Sequence, residues 1–161
     1  MKVEYVSPFV EAAVSVLGQV IGAASTRGSL SVKPQTFTSE QINIVCEIVG
    51  PIQGQVLYGM SQLTAIRIAS QMMGGEKLTM FDTLAASAVA ELGNMISGNA
   101  LTLLSSSGYA CDISPPNIIQ GANVRCCKVE LPALVIPITI PNTGTIEIKV
   151  SLQEDRSQIA A

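Results

Sequence analysis

The strand-like segments of this 161-residue chain fall into two groups, with two helix-like segments between them. Alternating or β-branched residues predict strands over 29–38, 41–49 and 54–60 in the first group, and over 110–113, 124–131, 134–140 and 145–152 in the second. Runs of strands followed by runs of helices are typical of α+β domains. The sequence therefore predicts helices packed on an antiparallel sheet.

Helical periodicity and capping signals predict a helix before the first group of strands and another directly after it. The first is predicted over 10–24, with Ser7 as its capping residue and Pro8 in its first turn. The second is predicted from its capping residue Ser61 through residue 73, before a Gly-Gly pair.

The longest predicted helix covers 83–105, with Asp82 as its capping residue and Gly108 as its stop signal. From Gln153 onwards the sequence is mostly polar, which predicts a frayed tail over 153–161. With this tail included, residues 1–161 are expected to form a single domain.

A short internal repeat links the first helix to the longest one. Residues 17–21 (LGQVI) resemble residues 92–96 (LGNMI), and each copy lies on a predicted helix beside a group of strands. This arrangement suggests a pseudo-twofold domain that grew by duplication. In this alignment Val16 is equivalent to Glu91, so the first copy has lost its acid.

The composition excludes a membrane-spanning protein, although the mean hydropathy is +0.44 and charged residues make up 13%. No stretch reaches the roughly 18 apolar residues that a spanning helix needs. Glu4, Pro8 and Glu11 lie where a signal peptide would be basic or apolar. We expect a soluble, cytoplasmic protein. Some of its excess apolar residues are expected to lie in a subunit interface.

The charge and the cysteines argue against nucleic acid and metal. The net charge is −3, no Lys/Arg cluster is present, and three Tyr, three Phe and no Trp leave few stacking groups. Four cysteines (Cys46, Cys111, Cys126 and Cys127) show no C-x-x-C spacing, and the chain lacks histidine. We therefore expect reduced thiols, no metal site and no nucleic-acid partner.

The longest helix is predicted to carry two stripes of side chains. The stripe expected to face the core consists of Leu84, Ala88, Leu92, Met95, Ile96 and Leu103. Ser87, Glu91, Asn94 and Gly98 follow at steps of four, three and four, about a third of a turn away.

Two glycines on this helix suggest a close approach. Gly93 and Gly98 each cost about 1 kcal/mol in a helix relative to alanine, so we expect another surface to approach the backbone there. Asn99 projects among the predicted apolar positions and is interpreted as a hydrogen-bonded structural residue.

The string from Ser87 to Asn94, together with Pro115-Pro116, resembles the CheC/CheX/FliY family of chemotaxis phosphatases, and the CheX branch in particular. The family pattern is Ser or Asp, three residues, Glu, two residues, Asn, and a proline a little over twenty residues later. The resemblance covers nearly the whole chain. It implies a CheC/CheX-like pseudo-twofold α-β-β-β-α-α-β-β-β domain.

The resemblance also implies an activity, namely hydrolysis of the aspartyl phosphate on a CheY-like response regulator in two-component signalling. Glu91 and Asn94 would be catalytic, inserted into the receiver's active site, and Ser87, Gly98 and Pro116 would contact the partner. The chain would need no cofactor of its own, because the receiver's site supplies Mg²⁺. CheX relatives dimerise, so a homodimer is expected.

Three other functions could use the same residues. A non-catalytic CheX-like binding module or scaffold is the main alternative. A flagellar-switch component of the FliY type is disfavoured, because we expect that branch to need additional segments. A hydrolase of small phosphoesters is disfavoured because the Glu91 stripe lacks arginine, lysine and metal ligands.

Overall fold

A computed structural model describes residues 2–22, 24–33, 40–121, 131–155 and 157 of the chain. Its helices and strands follow the order α1 (Val3–Ile21), β1 (Thr26–Arg27), β2 (Ser31–Lys33), β3 (Ile42–Val49), β4 (Ile52–Met60), α2 (Gln62–Met72), α3 (Thr83–Ser106), β5 (Asp112–Ile113), β6 (Asn117–Gln120), β7 (Ala133–Ile140) and β8 (Gly144–Glu154). Within these ranges, no helix is both long and apolar enough to cross a bilayer.

All the described strands belong to one antiparallel sheet whose order is symmetric about its centre. The order is β1-β7-β8-β4-β3-β5, with β2 also paired to β7 and β6 also paired to β3. A pseudo-twofold axis between β4 and β8 therefore relates β3 to β7, and β1 with β2 to β5 with β6. The predicted pseudo-twofold α+β domain is confirmed. Each half contributes its short edge strands to the other half.

The four long strands explain how the sheet forms a core. Their residues alternate between the two faces, and the even-numbered ones are almost all buried. This buried face includes Ile44, Cys46, Val56, Tyr58, Ile136, Ile138, Ile148 and Val150. All three helices pack against it with their own apolar faces.

Helix α1 begins seven residues before its predicted start and ends three residues earlier. Ser7 is not its N-cap: the Ser7 hydroxyl donates to the carbonyl of Val3 within the helix, at 3.1 Å. Pro8 also lies inside the helix. Tyr5 and Phe9 are buried in the core, and this burial outweighs the hydrogen bond that a proline removes. Both boundary predictions for this helix were wrong.

The predicted tail begins too early. Strand β8 continues through Glu154, which pairs with Ile52 of β4. The Glu154 carboxylate accepts hydrogen bonds from Lys2 Nζ at 2.7 Å and from the Tyr5 hydroxyl, so it joins the end of the sheet to α1. Nearly all of the predicted strand 124–131 lies outside the described residues, as does the second half of the predicted strand 29–38, whose described part contains β2.

The capping predictions for α2 and α3 are confirmed. The Ser61 hydroxyl accepts from the backbone N–H of Thr64 at 3.1 Å, and the Asp82 carboxylate accepts from that of Ala85 at 2.9 Å. Helix α3 ends at Ser106, close to the prediction, and Gly108 follows with a φ of 96°.

The buried face of α3 differs from the predicted core stripe. It consists of Ala85, Val89, Leu92, Gly93, Ile96, Ser97, Ala100 and Leu104. Leu84 is 50% exposed, and Ala88, Met95 and Leu103 are half-buried. The prediction found Leu92 and Ile96 but missed the small residues beside them on the buried face, Ala85, Gly93, Ser97 and Ala100, which allow the backbone to approach the sheet.

Gly93 is expected to be essential for this packing, unlike Gly98. A Cβ on Gly93 would lie 2.7 Å from Ile44 Cγ2, whereas a Cβ on Gly98 would meet nothing within 4 Å. We predict that Gly93→Ala lowers the free energy of unfolding by about 1–2 kcal/mol, since overpacking outweighs the gain in helix propensity. Gly98→Ala should raise it by up to about 1 kcal/mol.

Urea unfolding followed by circular dichroism measures both effects. The double variant Gly93→Ala/Ile44→Ala should lose less stability than the two single losses added together, since removing the Ile44 side chain relieves the contact. Strict additivity would show that this contact does not set the position of α3.

Candidate functional site

The underside of α3 is fixed to the sheet by close packing and by a buried polar contact. Gly93 lies on Ile44 of β3, and the hydroxyls of Tyr58 and Ser97 are 2.6 Å apart. Tyr58 is fully buried, and this burial raises the pKa of its phenol above the ordinary value. The helix therefore has a defined rotation about its axis, which determines the residues that face outwards.

The outer surface of α3 carries the second stripe that the sequence predicted, which contains Glu91 and Asn94. Ser87, Glu91 and Asn94 are exposed, and Gly98 is half-buried with open space beside it. At 3.6 residues per turn, Glu91 and Asn94 lie about 60° apart around the helix and about 4.5 Å apart along it. We call Ser87, Glu91, Asn94 and Gly98 the α3 ridge.

The side chains of Glu91 and Asn94 make no hydrogen bond or ion pair with any part of the chain that the structure describes. They project from a helix whose other side is packed on the sheet. A carboxylate and an amide held in this way can contact another molecule without first breaking internal bonds.

Leu84 extends the α3 ridge, which the sequence interpretation missed. It lies seven residues before Glu91, so the two side chains point in nearly the same direction after two turns. The signal in the sequence was the spacing of seven that joins Leu84, Glu91 and Gly98. A single exposed apolar side chain is common on protein surfaces, so Leu84 is assigned to the ridge by its position and not by its hydrophobicity.

Two other interpretations of α3 have different outcomes. The expected close approach is confirmed at Gly93, where the approaching surface is the chain's own strand β3, and is wrong at Gly98, where a Cβ would meet nothing within 4 Å. The interpretation of Asn99 as a hydrogen-bonded structural residue was wrong. Asn99 is exposed, at the border between α3 and α1, and no described residue bonds to its side chain. A core position next to Leu103 was expected, but the rotation that buries Gly93 turns Asn99 outwards.

Pro116 lies on a different element from the α3 ridge. It is half-buried in the connection between β5 and β6, at the edge of the sheet next to β3. Helix α3 contacts both of these strands. The partner-binding roles of Pro116, Ser87 and Gly98 stay predictions.

The internal repeat is one residue out of structural register. Val16 is buried, whereas its proposed equivalent Glu91 is exposed. The burial pattern of α1 matches that of α3 when Ser15 takes the place of Glu91 and Gly18 that of Asn94. Helix α1 therefore presents neither an acid nor an amide at these two positions, although the sheet has the predicted symmetry.

No group of three or more Cys, Asp or Glu side chains close enough to hold a metal ion occurs in the described ranges. Cys46 is buried as a free thiol, and burial raises its pKa. Cys111 is a free, half-buried thiol. Cys126 and Cys127 lie outside the described residues.

The fold is similar to that of a CheC-like superfamily protein from Shewanella sp. PV-4, with a TM-score of 0.83 and 25% identity over 95% of this chain and 99% of that one. The symmetric antiparallel sheet covered by helices is thus the fold of a CheC-like protein. More closely, residues 42–139 match the family model described as chemotaxis phosphatase CheX. The chain belongs to the CheX family.

Two individual relatives cover nearly the full chain. The CheY-P phosphatase CheX of Thermotoga maritima is 28% identical over 153 residues, which are 95% of this chain and 98% of that protein. The CheX of a CheX–CheY–BeF₃–Mg²⁺ complex from Borrelia burgdorferi has a TM-score of 0.78 and 28% identity, over 93% of this chain and 98% of that one.

Substitutions at two leucines of α3 test which side of this helix faces the sheet and which side faces outwards. Leu92 is 1% exposed and Leu84 50% exposed. We predict that Leu92→Ala lowers the free energy of unfolding by about 2–5 kcal/mol, and that Leu84→Ala changes it by no more than about 0.5 kcal/mol. Chemical denaturation of the two variants makes the comparison, and equal losses would contradict the assignment of Leu84 to the α3 ridge.

Proposed function

We propose that this protein dephosphorylates the aspartyl phosphate of a CheY-like response regulator in the cytoplasm, and that the α3 ridge enters the receiver's active site. The observation that carries the proposal is the exposed, unpaired state of Glu91 and Asn94 on a helix fixed to the sheet. The CheX family and the relative that acts on CheY-P support the choice of substrate.

Asn94 has the chemistry to position the attacking water. Phosphoryl transfer to water needs an in-line nucleophile and charge stabilisation, with little covalent help from the protein. An amide carries a carbonyl acceptor and an N–H donor, so Asn94 can orient a water molecule through both groups. Its position on a helix, rather than on a loop, limits the geometries that this water can take.

Glu91 serves to align the receiver. A carboxylate can pair with the lysine of a receiver's active site, and a charge-assisted hydrogen bond of this kind fixes both distance and direction. Because Asn94 lies about 4.5 Å further along the same helix, this pairing would also set the position of its amide. Ser87 and Gly98 would contact the receiver on either side, Gly98 because its backbone is open to close approach.

The ridge supplies no metal ligands of its own in this reaction. The receiver's own Mg²⁺ would neutralise the phosphoryl oxygens, while Glu91 and Asn94 act on the receiver's lysine and on the water. The CheX relative from Borrelia burgdorferi was solved in a complex with CheY, BeF₃ and Mg²⁺.

A non-catalytic module that docks on the receiver is the alternative. It would use the same exposed surface, so binding alone does not separate the two functions. The decisive measurement is phosphate release from each phosphorylated receiver of the source organism. Binding without faster release would favour the module.

Loss of the amide should reduce the rate far more than it reduces binding. We predict that Asn94→Ala lowers the rate of phosphate release by roughly 10²-fold or more, the usual scale for one positioned polar group. Glu91→Ala should weaken both binding and rate. Gln71→Ala removes an exposed amide from α2 and should behave as wild type. Release by Asn94→Ala at the wild-type rate would disprove the water-positioning role.

We also propose a homodimer formed through the edge of the sheet. Strand β2 is a short edge strand on which Val32 is 66% exposed, and Leu30 beside it is 45% exposed. Apolar residues on a sheet edge favour pairing with a second chain.

Light scattering coupled to gel filtration tests the dimer. We predict a mass of twice the 16.8 kDa of one chain, and a shift towards the monomer mass in Val32→Lys, which places a charge on that edge. A wild-type protein with the mass of one chain at all concentrations would disprove the homodimer.

A further inference from the structure

A cavity of about 250 Å³ lies between α1 and α3, away from the side chains of Glu91 and Asn94. We call it the α1–α3 pocket. Its lining consists of Glu11, Ala12 and Ser15 from α1 and Asn99, Thr102 and Leu103 from α3. The four polar residues are exposed at its mouth, while Ala12 and Leu103 are more buried and form its apolar wall.

Three of the four polar residues that line the α1–α3 pocket have no partner among the described residues. The Glu11 carboxylate, the Ser15 hydroxyl and the Asn99 amide form no hydrogen bond or ion pair with any residue in the described ranges. The Thr102 hydroxyl, in contrast, donates to the Gly98 carbonyl at 3.2 Å. Three unpaired groups of different chemistry therefore surround one cavity.

The chemistry of this lining favours a cationic side chain. A carboxylate, a hydroxyl and an amide oxygen are all acceptors, and Glu11 supplies a negative charge that disfavours anions. A guanidinium or ammonium group carries several donors and a hydrocarbon stem, which would pack on Ala12 and Leu103. The volume lies below the roughly 300–1,000 Å³ of typical small-molecule sites, so a side chain suits it better than a free ligand.

The position of the pocket points to the molecule that provides this side chain. Thr102, at the mouth of the pocket, follows Asn94 by eight residues, which corresponds to about 12 Å along the helix, and lies only about 20° from Glu91 around it. A standard interface of about 800 Å² per partner has the area of a disc of about 16 Å radius. A protein centred on Glu91 and Asn94 would therefore reach the mouth of the pocket with its rim.

We propose that the α1–α3 pocket receives a lysine or arginine side chain of the same receiver that docks on the α3 ridge. This inference rests on the proposed function and adds a specificity contact to it. Glu11 is then a positioning residue: it pairs with the receiver at the rim and selects receivers that carry a basic residue at the matching place. Helix α1, which lacks the acid and amide of the ridge, contributes to recognition instead of catalysis.

Steady-state phosphate release by Glu11→Gln tests the proposal. The variant should raise KM for the phosphorylated receiver about three- to tenfold and leave kcat within about twofold, since a rim charge acts on association. The dependence of kcat/KM on salt should also become weaker than in wild type. Glu47→Gln removes the same charge from the opposite face of the sheet, so it should match wild type in both parameters.

The outcomes separate this inference from the proposed function. If wild type releases phosphate and Glu11→Gln has an unchanged KM, the pocket inference is wrong and the phosphatase stands. A lower kcat without a change in KM, or a change in the mass measured by light scattering, would also overturn it, since Glu11 would then act in the reaction or between two copies of the chain. If wild type accelerates release from no receiver, the proposed function itself fails.

Discussion

The contact between Gly93 and Ile44 determines the arrangement of the helical layer. It brings α3 so close to β3 that a single added methyl group would be 2.7 Å from the isoleucine. Because Gly93 must lie against the sheet, the rotation of the helix is fixed, and the side opposite Gly93 faces outwards. The exposure of Glu91 and Asn94 follows from this packing. A glycine in the middle of a helix costs about 1 kcal/mol, and here that cost accompanies a defined presentation of two polar side chains.

The symmetric sheet shows how the two halves of the domain depend on each other. Each half provides short edge strands that pair with the long strands of the other, so neither half has a complete sheet alone. The two related helices are not equivalent in the same way. Helix α1 buries Val16 and exposes Ser15 and Gly18, whereas α3 exposes Glu91 and Asn94. The sheet has retained its symmetry while the outer surfaces of the helices differ, as expected where packing constrains one and partner binding the other.

Local signals in the sequence were sufficient for much of this fold. The capping residues Ser61 and Asp82 marked two helix starts correctly, since a cap depends on residues within one turn. The start of α1 was missed, because Pro8 is tolerated there through the burial of Tyr5 and Phe9, which no local pattern reveals. The same limit affected α3: hydrophobicity selected Leu84, but close packing through Gly93 decided which side is buried. Spacing alone placed Glu91 and Asn94 on one stripe of the helix. The exposure of this stripe depends on how α3 packs against the sheet.

A surface that acts on another protein's phosphoryl group faces different demands from an enclosed active site. In the proposed reaction the partner would bring the metal and the reacting bond, so this chain would need a few polar groups in the correct place and a surface that selects the partner. The α3 ridge would meet the first demand through its attachment to the sheet. The second demand would be better met by residues outside the reaction, because changes there alter affinity without disturbing the proposed water position. The α1–α3 pocket lies within reach of such a partner, and its one charged group, Glu11, belongs to α1 and not to the helix that carries Glu91 and Asn94. Catalysis and selection would then occupy neighbouring helices on a single rigid layer.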